Sequence, residues 1–459
     1  MHEALEAAAR RWDAWHASVR EHPVGPRLTN GEVAARLAAH DFERPRDLTA
    51  LTEEMADLLE QASLHPTHPR YFGLFVPGVC PAGIVADALA AAYNPQLGAW
   101  WHGPAACAVE RVTLEFFRRL IGLPASAFAT FTTGGSEANL TAVLAALAAA
   151  FPRHPEDGLE GVRAVLYASE QAHDSFVKIA RTVGLGDRAV RRVRSDARQR
   201  MDVDALRSAI AADRAEGRVP FLVVATVGTT ATGAVDPLAA LADACRREGL
   251  WLHADAAWGG IALLSDALRP HVAGIERADS VTWDAHKTLP VPMGAGMFFA
   301  RGRRFTEAVF SVHTAYVPET EEGTHDAYQQ TLQWSRRFIG LKVFLTLAEL
   351  GAPGVAAMVD GQAAMADRLR EMLRGDGWTI ANDTPLPLVC FTRPGLGPDE
   401  TSALVRSVVA EGAVWISEVR LPDGARWLRA CLTHHEAVPS DLRALVDALC
   451  RARRCVITT

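Results

Sequence analysis

The strongest constraint on the fold is an alternation, beginning near residue 83, between short segments rich in β-branched residues and segments of helical length. The clearest strand candidates are Ala164–Ala168, Phe221–Val227, Trp251–Ala254, Ser280–Trp283 and Gly296–Ala300. Strands separated by helices are typical of βαβ units, whose neighbouring strands run parallel. The sequence therefore predicts an α/β fold built on a mostly parallel sheet.

The chain is 459 residues long, which suits more than one domain. Residues 1–82 combine amphipathic helices with a stretch rich in Pro and aromatic residues, and we expect an N-terminal helical segment followed by an irregular loop. Residues 83–345 carry the alternation and are predicted to form the large domain. Residues 346–459 are predicted to form a small C-terminal α+β domain. Its strand candidates are Leu388–Thr392 and Trp427–Leu432.

Charge and cysteine content exclude several classes of protein. The net charge is −7 and the arginines are scattered, so we expect no nucleic-acid partner. Seven cysteines without a C-x-x-C pair indicate a reducing compartment and no metal site. The N-terminus lacks the basic-then-apolar order of a signal peptide, and the longest apolar stretch, near Leu140–Phe151, is too short to cross a bilayer. We therefore expect a cytoplasmic protein with no membrane partner.

Lysine is unusually rare. Of 47 Lys and Arg residues only three are lysines, namely Lys178, Lys287 and Lys342. The arginine excess is most simply explained by drift in a GC-rich genome. Arginine cannot lose its proton in a protein and so cannot form a Schiff base, which leaves few residues for that chemistry. Lys178 and Lys342 fall at helical positions and are predicted to be structural.

A glycine-rich turn, Thr132–Asn139 (TTGGSEAN), leads directly into an alanine-rich helix. Paired glycines allow close approach of the backbone, and the free N–H groups of a helix N-terminus attract anions, most often phosphate. The same pattern also suits an ordinary helix cap. Alone it therefore does not identify a phosphate site.

Two later strands end on residues that complement this turn. The segment WLHADAAWGG places Asp255 at the carboxyl edge of the sheet, where ligands of open α/β folds bind. Lys287 follows the next strand. A carboxylate that pairs with a protonated pyridine nitrogen and an amine that condenses with an aldehyde are what pyridoxal 5'-phosphate requires. With the glycine turn as phosphate cradle, the sequence predicts a pyridoxal phosphate site; an aspartate that only caps a helix is the alternative.

Together these segments resemble the group II pyridoxal-phosphate decarboxylases, which act on aromatic L-amino acids, histidine, glutamate and diaminobutyrate. The likeness extends from His65 to about Ala348, and one departure is Thr288, where the family usually has an aromatic or aliphatic residue. The motifs that carry it are HPRYF, TTGGSEAN, SEQAHDSFVKIARTVGLG, PFLVVATVGTT, WLHADAAWGG, SVTWDAHK and GAGMFFAR. The resemblance implies the fold-type I pyridoxal-phosphate transferase fold. It also implies a homodimer whose active sites lie at the subunit interface.

The resemblance also implies roles for individual residues. Lys287 would hold the cofactor as an internal aldimine, Asp255 would keep the pyridine nitrogen protonated, and His173 would stack on the ring and approach the substrate carboxylate. The other implied cofactor contacts are Gly135, Ser136, Thr230, Ala257, Asp284 and His286. Asp284 would repel a phosphate unless it is turned away. For His173 and His286 an ordinary place in the core is the alternative.

A loop tyrosine completes the expected machinery. The family returns a proton to Cα from a tyrosine on a mobile loop, and Val317–Gln333 precedes a WSRR segment that matches the anchor after that loop. Tyr328 is the first candidate and Tyr316 the second, while an ordinary loop tyrosine is the alternative. Relatives with Phe at that place release aldehydes, so Tyr328 favours release of an amine.

The sequence thus predicts decarboxylation of an L-amino acid to an amine and CO2. Aromatic or bulky substrates are favoured because several rings could line the pocket, although Leu74 and Gly98 stand where the aromatic enzymes contact the substrate ring. An acidic or diamino acid is the second choice. The rings are Phe72, Phe75, Trp100, Trp101 and His102. Alternative functions are an oxidative aldehyde synthase, another fold-type I lyase, or an inactive scaffold that kept the fold.

Overall fold

A computed structural model describes residues 1–312 and 324–457. The chain forms two compact units. The large unit comprises Val79–Ala364 and Asn382–Leu388, and the small unit comprises Met1–Gly78, Met365–Ala381 and Val389–Thr459. The division into domains at residues 82 and 345 stays a prediction.

Helices and strands alternate through most of the described residues. The helices are α1 His2–Ala17, α2 Asn30–Leu37, α3 Leu48–Ala62, α4 Pro81–Tyr93, α5 Pro104–Ile121, α6 Gly135–Ala150, α7 His154–Asp157, α8 Ser175–Thr182, α9 Val203–Ala215, α10 Leu238–Glu248, α11 Ala285–Thr288, α12 Arg304–Phe310, α13 Gly340–Gly375, α14 Pro398–Glu411 and α15 Pro439–Ile457. The strands are β1 Phe128–Thr132, β2 Ala164–Ser169, β3 Val190–Val193, β4 Val219–Thr226, β5 Trp251–Asp255, β6 Ser280–Asp284, β7 Gly296–Ala300, β8 Thr379–Ile380, β9 Leu388–Thr392, β10 Ser417–Arg420 and β11 Arg426–Cys431.

The large unit is built on a seven-stranded sheet in the order β1-β7-β6-β5-β4-β2-β3. Strands β3, β2, β4, β5 and β6 pair in parallel, whereas β7 runs antiparallel to both β6 and β1. This confirms the mostly parallel sheet. All five strands expected in this region are present within two residues of their predicted bounds.

The strand register brings the expected site residues to one edge of this sheet. Thr226 pairs with Asp255 across β4 and β5, and Asp284 pairs with Gly296 across β6 and β7. Gly296 also pairs with Thr132, the last residue of β1. The carboxyl ends of β1, β4, β5 and β6 therefore lie side by side.

The alanine-rich helix α6 packs against the middle of the sheet. It contacts β4, β5, β6 and β7, and its alanines, such as Ala138, Ala142 and Ala145, are fully buried. Small side chains let the helix axis approach the strands closely. The N-terminus of α6 is thereby held at the edge where the strands end.

The small unit contains the second sheet, in the order β10-β11-β9-β8, together with the N-terminal helices α1 to α3 and the C-terminal helices α14 and α15. Its core includes Phe72, Trp378 and Phe391. Arg20 and Arg70 both pair with the fully buried Asp441 at 3.0 Å, which ties the N-terminal segment to α15. Such pairing explains why the first 78 residues group with the end of the chain.

Helix α13 is, within the described part of the chain, the one helix whose length and composition would suit a membrane span. Its backbone is interrupted at Gly351, where φ is 64° and ψ is 163°, and Pro353 follows two residues later. A positive φ favours glycine, and proline cannot continue the hydrogen-bond ladder of a helix. The segment is therefore two helices joined at a sharp kink.

Candidate active site

The site begins at the turn between β1 and α6. Gly134 precedes the helix, and a Cβ at Gly296 would lie only 2.6 Å from the Gly134 Cα, so the strand carries glycine to admit the turn. Glu137, in the first turn of α6, accepts hydrogen bonds from the backbone N–H of Thr133 at 2.8 Å and from its hydroxyl at 2.6 Å. The turn is therefore braced from its own helix, and the helix N-terminus stays open to an anion.

Gly135 is buried at the base of this cradle. A Cβ at this position would lie 2.8 Å from Asp284 Oδ2 and 3.3 Å from the Ala257 methyl group. Ser136, the next residue, is exposed. The predicted cradle would therefore combine the N-terminus of α6 with Asp284 at the end of β6 and Ala257 just after β5.

Asp255 ends β5 and is 5% exposed. Its Oδ1 accepts the backbone N–H of Ala257 at 3.2 Å, and its Oδ2 accepts the side-chain amide of Asn139 at 3.0 Å. A buried carboxylate is costly unless donors or a cation compensate it. Both protein donors are neutral, which suits a carboxylate that meets a cationic ligand group.

Lys287 lies in the short helix α11, directly after β6. Its Nζ lies 2.8 Å from Asp284 Oδ2, and about a third of the lysine side chain is exposed. Asp284 itself is 1% exposed, and its Oδ1 accepts no hydrogen bond from the described residues. The carboxylate is therefore turned toward the lysine, beside the cradle.

The unusual Thr288 has a structural role in this turn. Its hydroxyl is fully buried, accepts the indole N–H of Trp283 at 3.1 Å and lies 3.2 Å from the carbonyl of Asp284, to which it donates. The departure from the family pattern is thus accommodated by hydrogen bonds within the turn that presents Lys287.

His286 is 5% exposed, and its Nδ1 accepts the backbone N–H of Ala295 at 3.1 Å. Burial lowers the pKa of His286 below its usual value. A Cβ on Gly134 would lie 3.6 Å from the His286 ring, so this histidine borders the cradle.

His173 and Thr230 are both exposed, in contrast to His286. His173 follows β2, and its Nδ1 accepts the backbone N–H of Ser175 at 3.1 Å. Thr230 lies in the turn after β4, next to the fully buried Thr229. Ala257 is partly exposed beyond the end of β5. All three residues are at least partly exposed to solvent.

The two glycines of the WGG segment, Gly259 and Gly260, lie where the chain packs closely against its neighbours. A Cβ on Gly259 would overlap the carbonyl of Val227, and one on Gly260 would lie 2.6 Å from the Trp283 indole. Close packing of the chain against the residue that follows β4 and against β6 therefore explains these two glycines.

Tyr328 is buried at the end of the loop that follows the undescribed segment 313–323. Its backbone N–H donates to Gly98 at 2.9 Å, its hydroxyl accepts from Gln329 at 3.0 Å, and its ring lies 4.9 Å from that of Trp334. Glu137 of the cradle accepts the amide of Gln333, also in this loop, at 2.9 Å. Tyr316, the second candidate, lies outside the described residues.

The residues expected to meet the substrate side chain occupy varied environments. Phe72 is 1% exposed in the core of the small unit, whereas Leu74 and Trp101 are about half exposed. A side chain at Gly98 would overlap the carbonyl of Trp334, so this position is glycine for packing reasons.

The residues at this edge fit pyridoxal phosphate. An open helix N-terminus with a glycine where a Cβ would intrude suits a phosphate, a partly exposed amine suits an aldehyde, and a buried carboxylate with neutral donors suits a pyridinium nitrogen. The family model described as the pyridoxal-dependent decarboxylase conserved domain matches residues 32–393. The chain belongs to this family.

Relatives of this decarboxylase act on different amino acids. An aromatic-L-amino-acid decarboxylase of Bacillus atrophaeus is 35% identical over 332 residues, which cover 71% of this chain and 68% of the relative. A cysteine sulfinic acid decarboxylase of Rattus norvegicus is 33% identical over 338 residues, which cover 72% and 68%. This chain therefore shares its family and its class of reaction with one relative named for aromatic amino acids and another named for cysteine sulfinic acid.

Solved structures of the family match the whole decarboxylase chain. Oryza sativa TDC, solved with PLP and tryptamine, has a TM-score of 0.92 at 26% identity, covering 98% of this chain and 97% of that chain. Mouse CSAD has a TM-score of 0.90 at 27% identity and 98% coverage of both chains. The decarboxylase therefore has the fold-type I architecture, uses pyridoxal phosphate and is a carboxy-lyase acting on an amino acid.

One polar contact of the site was not singled out from the sequence. Asn139 lies in the TTGGSEAN motif, one turn after Gly135, and it is 2% exposed with its amide on Asp255. Residues four apart share one face of a helix, so the spacing from Gly135 could have indicated that Asn139 faces the strand ends.

Proposed function

We propose that this decarboxylase converts an L-amino acid with an aromatic or bulky side chain to the corresponding amine and CO2. The observation that carries the proposal is the placement of Asp255 and Lys287 at the ends of adjacent parallel strands, next to the N-terminus of α6. The aromatic preference is supported by the 35% identity to the Bacillus atrophaeus aromatic-L-amino-acid decarboxylase. An acidic amino acid is the second choice, supported by the cysteine sulfinic acid relative.

Pyridoxal phosphate, when bound, supplies an aldehyde that condenses with amines and a pyridinium ring that withdraws electrons from the bond that breaks. In our proposal Lys287 is the amine that holds the cofactor, because it is partly exposed at the strand edge. The other two lysines are placed differently. Lys178 is exposed on α8, while Lys342 is buried in an ion pair with Asp87 at 3.2 Å.

Asp255 is proposed to hold the ring nitrogen in its protonated state. Its two neutral donors fix the carboxylate without cancelling its charge. A preorganised charge in a buried site acts more strongly than it would in water. Gly135, Ser136, Thr230, Ala257, Asp284 and His286 are proposed to surround the cofactor.

His173 and Tyr328 are proposed to act on the substrate. His173 is exposed beside the strand ends and can stack on the ring and approach the carboxylate that leaves. Tyr328 is proposed to return the proton to Cα. A phenol at this place favours the amine over an aldehyde product.

We also propose a homodimer in the cytoplasm. Apolar side chains on helices of both units are exposed in the single chain, including Leu5 of α1, Leu59 of α3 and Val85 of α4. Exposed apolar surface of this kind marks interaction sites in soluble proteins. In the proposed dimer the active sites lie at the subunit interface.

The direct experiment incubates the purified holoenzyme with a panel of L-amino acids and measures CO2, amine and aldehyde. Aromatic substrates should release CO2 and amine in equal amounts. Release of aldehyde would favour an oxidative synthase, and preference for cysteine sulfinate or glutamate would overturn the aromatic assignment. Absence of CO2 release with every amino acid would overturn the proposed reaction.

The Schiff base is tested separately. Borohydride should fix the cofactor to the peptide that contains Lys287, as read by mass spectrometry, and Lys287→Ala should abolish both the label and the visible colour. Lys178→Ala is the matched control, because Lys178 is exposed on a helix, and it should keep both. Label retained by Lys287→Ala would contradict the assignment.

A further inference from the structure

Behind Asp255 the structure contains a continuous chain of buried hydrogen bonds. The Asn139 side chain bonds to Asp255 Oδ2 at 3.0 Å and to His253 Nε2 at 3.0 Å. His253 Nδ1 lies 2.8 Å from the hydroxyl of Ser280, and that hydroxyl lies 2.8 Å from the indole nitrogen of Trp251. Every member of the chain is 9% exposed or less. The chain leads from the start of β5 to the carboxylate at its end.

The direction of these hydrogen bonds follows from the chemistry of the groups. A carboxylate only accepts, so Asn139 must present its NH2 group to Asp255 and its carbonyl oxygen to His253. His253 Nε2 must then carry a hydrogen. Burial lowers the pKa of His253 to about 4, so at neutral pH its Nδ1 is bare and accepts the Ser280 hydroxyl.

The far end of the chain agrees with this direction. The Trp251 indole can only donate, and the Ser280 oxygen is free to accept it because its own hydrogen points to His253. Four groups therefore donate in sequence toward Asp255, in the order Trp251, Ser280, His253 and Asn139. The chain delivers no positive charge, because its histidine is neutral.

A branch of the same network reaches the substrate side of the site. The Asn139 NH2 group also lies 3.4 Å from the Ser175 hydroxyl, and the backbone N–H of Ser175 donates to His173 Nδ1 at 3.1 Å. Asn139 is thus shared between Asp255 and the segment that holds His173.

We infer that Asn139 and His253 are positioning residues that orient the Asp255 carboxylate toward the cofactor nitrogen. The inference rests on the proposed role of Asp255. Neutral donors hold the carboxylate in one orientation and leave its full charge for the ring nitrogen. A cation in their place would compete with that nitrogen for the carboxylate.

The test measures the dissociation constant of pyridoxal phosphate for the apoproteins, together with the visible absorption band of the bound cofactor and the thermal midpoint of each apoprotein. His253→Phe removes the donor to Asn139 and should weaken cofactor binding about tenfold or more and move the band. His253→Gln places an amide NH2 near the position of Nε2 and should restore binding to within about threefold of wild type. A merely structural role would lower the thermal midpoint in both variants without this difference.

Two further variants separate the possible failures. Asn139→Asp keeps the size of the side chain but places a second carboxylate against Asp255. The two carboxylates should share a proton, which reduces the negative charge of Asp255 and should weaken cofactor binding about tenfold. This variant carries the test if His253→Phe does not fold. Wild-type binding and spectrum in Asn139→Asp or in His253→Phe would overturn the inference. Asp255→Asn is the reference, and if it also binds normally, the proposed role of Asp255 itself is wrong.

Discussion

The amine of Lys287 lies 2.8 Å from Oδ2 of Asp284, so the proposed Schiff-base lysine forms an ion pair with a carboxylate three residues before it. The same oxygen lies 2.8 Å from the point where a Cβ on Gly135 would stand. Asp284 thus lies between the lysine and the turn that is proposed to hold the phosphate. Its negative charge favours the lysine and opposes the phosphate.

Asp284→Asn should therefore tighten the binding of pyridoxal phosphate. The substitution keeps the shape of the side chain and removes a like charge beside the phosphate. Two like charges 4 Å apart repel each other by about 4 kcal/mol at an effective dielectric constant near 20. Removing part of this repulsion should tighten cofactor binding about threefold to tenfold. Titration of the apoprotein with the cofactor measures the effect.

Asp279→Asn is the matched control for this substitution. Asp279 precedes β6 and accepts the backbone N–H of Leu252, so the variant loses the same charge at the opposite end of the strand, about 16 Å away. Its cofactor affinity should stay near wild type. Weaker binding by Asp284→Asn would mean that Asp284 helps to hold the cofactor.

Gly135→Ala should reduce cofactor affinity. The added methyl group would come within 2.8 Å of Asp284 Oδ2 and 3.3 Å of Ala257, both at the base of the cradle. Gly361→Ala is the control, since a Cβ there meets nothing within 4 Å and the residue lies in helix α13. That variant should raise the free energy of unfolding by about 0.5–1 kcal/mol and leave cofactor binding unchanged. Normal cofactor binding in Gly135→Ala would contradict the cradle.

Tyr328→Phe should cut the yield of amine about a hundredfold or more and raise the yield of aldehyde, because the variant lacks the phenol that is proposed to return the proton to Cα. Chromatography of the products from one substrate measures both. Tyr316→Phe serves as the comparison, and it should behave as wild type. An unchanged amine yield in Tyr328→Phe, with a loss in Tyr316→Phe, would transfer the role to Tyr316.

Acid should destabilise the protein partly through His253. Its pKa is lowered to about 4 by burial, whereas an unfolded histidine titrates near 6.5, so the unfolded state binds the proton first. The stabilising contribution is complete above pH 6.5 and is lost as the pH falls toward 4, on the order of 2 kcal/mol between pH 7.5 and 5. Urea unfolding at the two pH values should show a smaller loss for His253→Gln than for wild type.

The exposed His271 offers a control for that measurement, and His271→Gln should keep the wild-type pH dependence. Part of the dependence should remain in His253→Gln. The buried His68 and His434 have pKa values lowered to about 4 and about 3, mainly by burial, and they contribute in the same direction. Equal losses for His253→Gln and wild type would contradict the expectation.

Much of the large sheet could be predicted because its central strands are apolar runs between helical segments. The bounds of strand β7 were predicted correctly, but its antiparallel direction was not. The direction of a strand depends on the path of the chain rather than on local composition. The strands β1 and β3 were missed. Strand β3 contains Arg191 and Arg192, which break the apolar pattern, and β1 lies directly before the glycine turn.

The positions of the candidate site residues in the fold were predictable where they depend on the ends of strands. Asp255, Asp284 and Lys287 follow apolar runs, and parallel pairing brings such ends together. The environment of each group was not predictable. The orientation of Asp284 toward Lys287 and the packing of Gly98 against the Trp334 carbonyl depend on segments distant in sequence.

Strand β5 has only five residues, and alternate side chains point to opposite faces of a sheet. Trp251, His253 and Asp255 therefore share the face that meets Asn139, while Leu252 and Ala254 occupy the other. A substitution in this strand changes one side chain and leaves the facing of the others unchanged. Insertion or deletion of a single residue would exchange the two faces and disconnect the whole hydrogen-bond chain at once, so natural variation in β5 should change residue type but not strand length.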